Sequence, residues 1–170
     1  ILRHCYSEAN TVMGQTSQPS ASSGSVEVRA LTAPTRAEIE QLAEIFDRYR
    51  IHYGEAADAS RTASWLEGNI SSGRLEAFVA EDKGASVGFA ITMTIPASLR
   101  LGHFWQIRDL FVLPNHRRRG VGRTLLDFIR AAAIRAGALR LVLRTETDNT
   151  PALRLYAESL LSAGHTETGA

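Results

Sequence analysis

The chain has 170 residues, of which 44% are hydrophobic, and its formal net charge at pH 7 is +1. This length and composition predict one globular domain with a real core, and no apolar run reaches the roughly 18 residues that a membrane-spanning helix needs. The one cysteine, Cys5, excludes an intrachain disulfide and a cysteine-based zinc site. We therefore expect a cytoplasmic protein with no bound metal and no membrane partner.

The first part of the chain divides into a leader and the start of a folded domain. Residues 1–24 end in a segment rich in serine, glycine and glutamine, which is typical of a flexible leader. We therefore expect a single domain over 25–170. Alternating apolar residues predict a strand over 26–31. Thr35 and Glu38 then have the spacing of a helix capping box, which predicts a helix after them.

The middle of the chain predicts a helix, a hairpin and a long strand. The helix covers 60–70, and the apolar runs 75–81 and 86–94 flank the turn residues 82–84, which is the pattern of a hairpin. The long strand covers 103–112. A hairpin implies antiparallel neighbours in the sheet.

The last part predicts a helix, a strand and a further helix. Apolar residues recur at helical spacing from 121 to 136 and a buried-looking strand covers 139–145. Pro151 then favours a helix start at Thr150 and Pro151. The strand–helix–strand unit implies a parallel pair with a right-handed crossover. The predicted fold class is therefore α/β (α+β) with a mixed sheet.

Arginine is concentrated in one segment. Residues 108–144 hold nine arginines but only two acidic residues, Asp109 and Asp127, a local charge of +7 that leaves −6 for the rest of the chain. This distribution favours a local anionic ligand over a whole-surface polyanion. A nucleic-acid-binding module is an alternative, but it predicts basic residues spread over a whole face.

The sequence "RRRGVGR" (117–123) lies where the long strand gives way to a helix. A helix N-terminus presents unpaired backbone N–H groups and a positive dipole end, which together bind phosphate. Gly120 and Gly122 lack the Cβ atoms that would keep a ligand away from the backbone. The spacing matches neither a Rossmann fingerprint nor a P-loop. A cradle for a phosphorylated ligand and a solvated helix start both remain open on these residues.

Two motifs resemble the GNAT N-acyltransferase superfamily. The stretch "LFVLPNHRRRGVGRTLL" is similar to its acetyl-CoA-binding signature, Q/R-x-x-G-x-G/A, with Arg117, Gly120 and Gly122 at the fixed positions. The later stretch "NTPALRLY" is similar to the family's N-x-x-A-x-x-L/F-Y segment. That segment is matched at Asn149, Ala152, Leu155 and Tyr156.

The resemblance implies a mixed, mostly antiparallel sheet with one parallel strand–helix–strand unit and helices on both faces. It also implies an enzyme that transfers the acetyl group of acetyl-CoA to a primary amine of a small molecule or peptide. Tyr156 would protonate the leaving thiolate or donate a hydrogen bond to it, and no metal is required. The residues implied in binding the acetyl-CoA are Leu110, Phe111, Val112, Arg117, Arg118, Arg119, Gly120, Val121, Gly122, Arg123, Asn149 and Tyr156.

The general base is less evident. Many family members carry a glutamate on the long strand, on the face of the valine that Val112 matches, but counting back by twos from Val112 finds no base. Asp109 has the wrong parity unless a β-bulge flips it. We take Asp109 as the catalytic candidate, with His103, Glu146 or a water chain as alternatives.

The acceptor pocket is expected between the first two helices, where the resemblance places it. Tyr49, His52, Tyr53 and Glu55 supply polar, aromatic and acidic groups there. A solvated loop is the alternative interpretation. Carboxylates at this place would suit a cationic amine.

The C-terminal segment departs from the family pattern, because no clear strand follows the last helix. Strands that are shortened or missing there would leave an open sheet edge, which favours a homodimer. It also leaves a non-catalytic CoA-binding regulatory module as the main alternative to an enzyme.

Overall fold

The computed structural model describes residues 6–12, 26–146 and 149–161. Within them the chain forms six strands and four helices. In chain order these are β1 (Tyr6–Val12), β2 (Val26–Ala30), α1 (Arg36–His52), α2 (Ala59–Ser71), β3 (Glu76–Asp82), β4 (Ala85–Ala97), β5 (Gly102–Val112), α3 (Val121–Arg135), β6 (Arg140–Glu146) and α4 (Thr150–Leu161).

The strands form one mixed sheet in the order β1-β6-β5-β4-β3-β2. Every neighbouring pair is antiparallel except β5 and β6, which run parallel and are connected through α3. The predicted fold class, with its single parallel strand–helix–strand unit, is therefore confirmed.

The N-terminal strand corrects one prediction. A flexible leader over 1–24 is wrong for Tyr6–Val12, because this segment pairs antiparallel with β6 from Tyr6↔Glu146 to Val12↔Arg140. The polar composition of this segment does not predict a strand, but hydrogen bonds between its backbone and that of β6 make it one. The edge of β6 that seemed open is thus covered by the same chain, and β1 becomes an edge strand of the sheet. A homodimer stays a prediction. Residues 1–5, 13–25 and 162–170 lie outside the described residues.

Local signals explain where the first helix begins. Thr35 caps α1: its hydroxyl accepts a hydrogen bond from the Glu38 N–H, and the Glu38 carboxylate accepts one from the Thr35 N–H at 2.8 Å. The apolar face of the helix, including Ile39, Leu42 and Phe46, is buried against the sheet. The predicted capping box is confirmed.

Helices cover both faces of the sheet, and each face has its own core. One core contains the apolar residues of α1 and α2 together with Phe89, Ile91 and Phe111 from the sheet. The other contains α3 and Tyr156 of α4 together with Trp105 and Ile107. Apolar area removed from water on both faces stabilises the sheet in the middle.

A β-bulge interrupts the pairing of β5 with β4. Asp109 lies opposite Ile91, but Thr92 lies opposite Ile107, so Arg108 is the extra residue on β5. Residues that lie opposite each other on paired strands point to the same face of the sheet. With one extra residue in β5, the side chains after Arg108 therefore point to the opposite face from the one that strict alternation from Ile107 would give them.

The bulge does not bring Asp109 to the same face of the sheet as Val112. Trp105 and Ile107 pack on the α3 face before the bulge, whereas Phe111 packs on the α1 face after it. Asp109 and Val112 both follow the bulge, so they remain on opposite faces, and Asp109 points toward α1. The β-bulge on which the parity of Asp109 depended is present, but it leaves Asp109 off the face of Val112.

Candidate active site

An open cleft lies where β5 and β6 separate. Their parallel pairing covers only Trp105↔Leu141 to Ile107↔Leu143, although β5 continues to Val112 and β6 to Glu146. The volume of the cleft is about 1180 Å³. Its lining residues are Tyr49, His52, Tyr53, Gln106, Ile107, Arg108, Asp109, Leu110, Phe111, Val112, His116, Arg117, Arg118, Gly120, Val121, Gly122, Arg123, Arg144, Thr145, Asn149, Leu155 and Tyr156.

The turn after β5 is fastened to the strand by Arg117. Its Nε–H donates a hydrogen bond to the Val112 carbonyl at 3.0 Å, and its guanidinium lies 5.5 Å from the centre of the Phe111 ring. These contacts hold the side chain along the end of β5. We conclude that the arginine at the motif's fixed position orders the turn, since its guanidinium is engaged by the protein itself.

Gly120 and Gly122 are glycines for different structural reasons. Gly120 is the N-cap of α3 with φ of 84°, a left-handed conformation that residues with a Cβ rarely adopt. No side chain caps this helix end, and the first helical bond runs from the Thr124 N–H to the Gly120 carbonyl at 2.9 Å. The preceding N–H groups have no helical acceptor. They lie in a backbone segment that lines the cleft.

Gly122 makes room for α4. A Cβ at Gly122 would lie 2.9 Å from Cδ2 of Leu155 and 3.9 Å from Cγ2 of Val112. The side chain of Leu155 could move, so an alanine would be tolerated more easily than a branched residue. The glycine keeps the start of α3 close to α4 on one side of the cleft.

The basic side chains of the turn divide into two groups. Arg118 and Arg123 line the cleft, whereas Arg119 is exposed and does not. Arg118 adopts a left-handed conformation with φ of 59°. The prediction that Arg119 belongs to the binding site therefore finds no support in its position.

Tyr156 and Asn149 enter the cleft from the end near α4. Tyr156 is buried in the α3 core, and burial, followed by the nearby Tyr53 phenol, raises its pKa to about 12. The phenol is therefore protonated at neutral pH and can donate a proton. Asn149 directly precedes α4, and its carbonyl accepts a hydrogen bond from the Leu153 N–H at 3.0 Å.

Asp109 enters the cleft from the other face. The Tyr49 hydroxyl donates a hydrogen bond to Oδ1 of Asp109 at 2.7 Å. Burial raises the pKa of Asp109, and the Tyr49 hydrogen bond and the Arg108 charge oppose that rise. Burial and the neighbouring Asp109 also raise the pKa of Tyr49 beyond its usual range, so Tyr49 stays neutral and acts as the donor.

Aromatic rings form the wall around Asp109. The ring centre of Tyr49 lies 5.0 Å from that of Tyr53 and 5.8 Å from that of Phe111. His52 lies 5.2 Å from Tyr53 and 6.1 Å from Phe111. These predicted acceptor residues, Tyr49, His52 and Tyr53, are brought together, and we call them with Phe111 the aromatic wall.

Comparison with known proteins identifies the family of this chain. The model of the acetyltransferase (GNAT) family matches residues 39–160. The chain belongs to the GNAT acetyltransferase family. It is 30% identical over 118 residues to the uncharacterized N-acetyltransferase YhfO of Bacillus subtilis (strain 168), covering 69% of this chain and 79% of that one. It is 32% identical over 90 residues to a probable acetyltransferase of Haemophilus influenzae, covering 52% and 62%.

Solved GNAT acetyltransferase structures share the fold. A probable acetyltransferase superimposes with a TM-score of 0.71 at 24% identity, covering 78% of this chain and 87% of the other. The aminoglycoside acetyltransferase meta-AAC0020, from an uncultured soil metagenomic sample, gives a TM-score of 0.70 at 17% identity, covering 86% and 94%. The chain is thus an N-acetyltransferase that depends on acetyl-CoA, the acyl donor of the family.

One predicted acceptor residue of this GNAT acetyltransferase lies elsewhere. Glu55 is exposed, does not line the cleft, and has a carboxylate oxygen 4.0 Å from Nη2 of Arg50. The loop that carries it is tied down by Asp47, which sequence analysis missed. Asp47 accepts hydrogen bonds from Arg50 at 2.6 Å, from the Thr62 hydroxyl at 3.0 Å and from the Asp58 N–H at 3.0 Å.

Several further lining residues of the GNAT acetyltransferase were not predicted. Each of them lies on β5, on β6 or beside the glycine turn. They are Gln106, Ile107, Arg108, His116, Arg144, Thr145 and Leu155. The parallel register of β5 and β6 could have indicated those on the strands, but the point where the strands separate has no sequence signal.

Among the described residues, no group of three or more histidine, cysteine, aspartate or glutamate side chains could hold a metal ion. None of the helices in those same residues combines the length and the apolar character that crossing a membrane requires.

Proposed function

We propose that this GNAT acetyltransferase transfers the acetyl group of acetyl-CoA to a primary amine of a small molecule or a peptide. One observation carries the proposal: a single cleft joins the uncapped start of α3, the gap between β5 and β6, and two ionisable groups that enter from opposite faces of the sheet. A solved structure that shares the fold, that of an aminoglycoside acetyltransferase, supports the proposal.

The residues around the start of α3 fit a phosphorylated donor. Backbone N–H groups without helical acceptors, together with the positive end of the helix dipole, bind phosphate oxygens. Gly120 presents no Cβ to the ligand, and Arg118 and Arg123 add positive charge on the cleft side of the turn. Arg117 keeps the turn in place through the Val112 carbonyl.

The edge of β5 receives the arm of the donor. Beyond Ile107 this edge is not paired with β6, so the backbone groups of Leu110 and the N–H of Val112 are available to an extended chain of amides, whereas the Val112 carbonyl is held by Arg117. Asn149, at the start of α4, lines the same cleft and would contact the arm. A donor bound in this way brings its thioester toward Tyr156.

Acetyl-CoA supplies an acetyl group activated as a thioester, and the protein manages two protons. The acceptor amine must lose a proton before its lone pair can attack, and Asp109 takes that proton directly or through a water molecule. Burial makes Asp109 a stronger base than an ordinary aspartate, because it raises the pKa of the carboxyl. Tyr156 donates its phenolic proton to the sulfur as the thiolate leaves.

The proposal is tested in two steps that separate binding from turnover. Acetyl-CoA should raise the melting temperature of the protein, and thiol release should then follow when a primary amine is added. Tyr156→Phe should keep the acetyl-CoA-dependent rise in melting temperature but lower kcat by about 100- to 10,000-fold, as expected when a general acid is removed.

One variant serves as the control, and two results would contradict the proposal. Arg100→Gln, at an exposed position outside the cleft, should leave both measurements unchanged. If acetyl-CoA leaves the melting temperature unchanged, the proposed donor site is wrong. If Tyr156→Phe keeps full kcat, the role of Tyr156 as proton donor is wrong.

A further inference from the structure

The charges that line the cleft do not suit a polycation. The described lining contains five arginines, Arg108, Arg117, Arg118, Arg123 and Arg144, but only one carboxylate, that of Asp109. The acidic residues of the loop between α1 and α2 do not line the cleft. Glu55 lies outside the cleft, and Asp58 caps α2 through the Arg61 N–H at 3.0 Å.

Arg108 is separate from the arginines that surround the phosphate site. It precedes Val112 by four residues on an extended strand, which corresponds to ~13 Å, whereas the glycine turn begins after Val112. Its charge is close enough to Asp109 and Tyr49 to lower the pKa of both. Arg108 therefore lies at the acceptor end of the cleft.

Arg108 is an exposed residue that lines the cleft. Within the described residues it makes no side-chain hydrogen bond and no ion pair, and it is exposed to the cleft. It is also the extra residue of the bulge on β5, so pairing with β4 does not fix its position in a regular ladder. An arginine fork of this kind suits a planar carboxylate, which it can bind with two parallel hydrogen bonds.

Asp109 and Arg108 are consecutive and of opposite charge. A compact acceptor that carries an ammonium group and a carboxylate a few bonds apart is complementary to such a pair, with its ammonium group near Asp109 and its carboxylate near Arg108. The aromatic wall beside them offers an apolar surface for a side chain. A polyamine would instead place an additional cation close to Arg108, which is unfavourable.

From these observations we propose that the acceptor is an amino carboxylate, such as a free amino acid with an apolar side chain, and that Arg108 is the residue that selects it. This inference rests on the proposed function, because it names the acceptor class of the same site. It assigns to Arg108 a role in specificity and leaves the proton transfers to Asp109 and Tyr156.

The experiment compares matched acceptors and matched variants. Thiol release from acetyl-CoA is followed with phenylalanine, with phenylalaninamide, which lacks the carboxylate, and with spermidine as a polycation. In the wild-type protein, kcat/KM should be highest for phenylalanine. Arg108→Gln should lower kcat/KM for phenylalanine by about 10- to 100-fold, mainly through KM, as loss of charge-assisted hydrogen bonds predicts. The same variant should change kcat/KM for phenylalaninamide by less than about threefold.

Two further variants sharpen the result. Arg108→Lys keeps the charge but not the fork, so it should restore part of the preference for phenylalanine. Arg100→Gln removes an arginine outside the cleft and should leave the preference unchanged. The acetyl-CoA-dependent rise in melting temperature should persist in all three variants, which confirms that each is folded and binds the donor.

Different failures have different meanings. If amines are acetylated but phenylalaninamide or spermidine is preferred, or if Arg108→Gln lowers kcat/KM for phenylalanine and its amide equally, the acceptor assignment is overturned while the proposed function stands. If acetyl-CoA binds but no amine of any kind is acetylated, the proposed function fails and the acceptor assignment fails with it.

Discussion

Replacing Tyr49 by phenylalanine removes one hydroxyl and one hydrogen bond from the candidate site. In the wild-type protein this hydroxyl donates to Oδ1 of Asp109 at 2.7 Å, in a place where both groups are largely shielded from water. A hydrogen bond to a charged acceptor contributes about 1.5–3 kcal/mol to the free energy of unfolding. For a protein of this size, that loss lowers the melting temperature by about 3–12 °C.

The loss should depend on pH in a defined direction. Burial already raises the pKa of Asp109, and the Tyr49 hydrogen bond opposes that rise, so Tyr49→Phe raises this pKa further. A raised carboxyl pKa favours the protonated form in the folded state. The variant should therefore lose most stability at pH 8, where Asp109 is ionised. The loss should shrink to about 0.5–1.5 kcal/mol as the pH falls through the folded-state pKa of Asp109.

Two assays follow the same change. Urea unfolding at a series of pH values measures the stability difference, and kcat/KM against pH should show its acidic limb moved to higher pH in Tyr49→Phe. Arg100→Gln is the control for stability, because Arg100 is exposed and lies outside the cleft. Equal destabilisation at all pH values, or an acidic limb that stays in place, would refute a hydrogen bond to an ionised Asp109 and its role as base.

Three other substitutions and profiles test the remaining features. Gly122→Val places a branched side chain against Leu155 and should raise KM for acetyl-CoA by about tenfold or more, whereas Arg118→Ala should raise it less; the reverse order would contradict a backbone cradle. Asp47→Asn should lower the free energy of unfolding by about 1.5–3 kcal/mol at pH 7 in urea titrations. Burial raises the pKa of Asp47, but the hydrogen bonds that its carboxylate accepts outweigh burial and lower that pKa. The loss of stability should therefore diminish at acidic pH. Because the pKa of Tyr156 is raised to about 12, kcat should not fall between pH 8 and about 10; an alkaline limb there would exclude Tyr156 as the acid.

The elements of the fold were largely readable because each has a local cause. The capping box at Thr35 and Glu38 and the alternation over 86–94 depend only on neighbouring residues, and the structure has α1 and β4 at those places. The glycine turn was readable for a similar reason, since the left-handed Gly120 is a property of its own backbone.

The rest depends on contacts between distant segments. Tyr6–Val12 carries a polar sequence that predicts no strand, and only pairing with β6 makes it one. The position of the bulge at Arg108 follows from the register between β4 and β5, which composition does not encode. Glu55 illustrates the same limit, because an acidic residue in a loop can face the cleft or the solvent, and Asp47 decides the path of that loop.

The irregular position in β5 has a consequence for insertions and deletions. Deleting one residue from a core strand normally turns every following side chain to the wrong face. Deleting Arg108 would instead join Ile107 to Asp109, and the alternation would then run without interruption, with Ile107 and Leu110 on one face and Asp109 and Phe111 on the other. The strand therefore has one site at which a residue can be removed with both cores kept in phase, and that site belongs to the cleft.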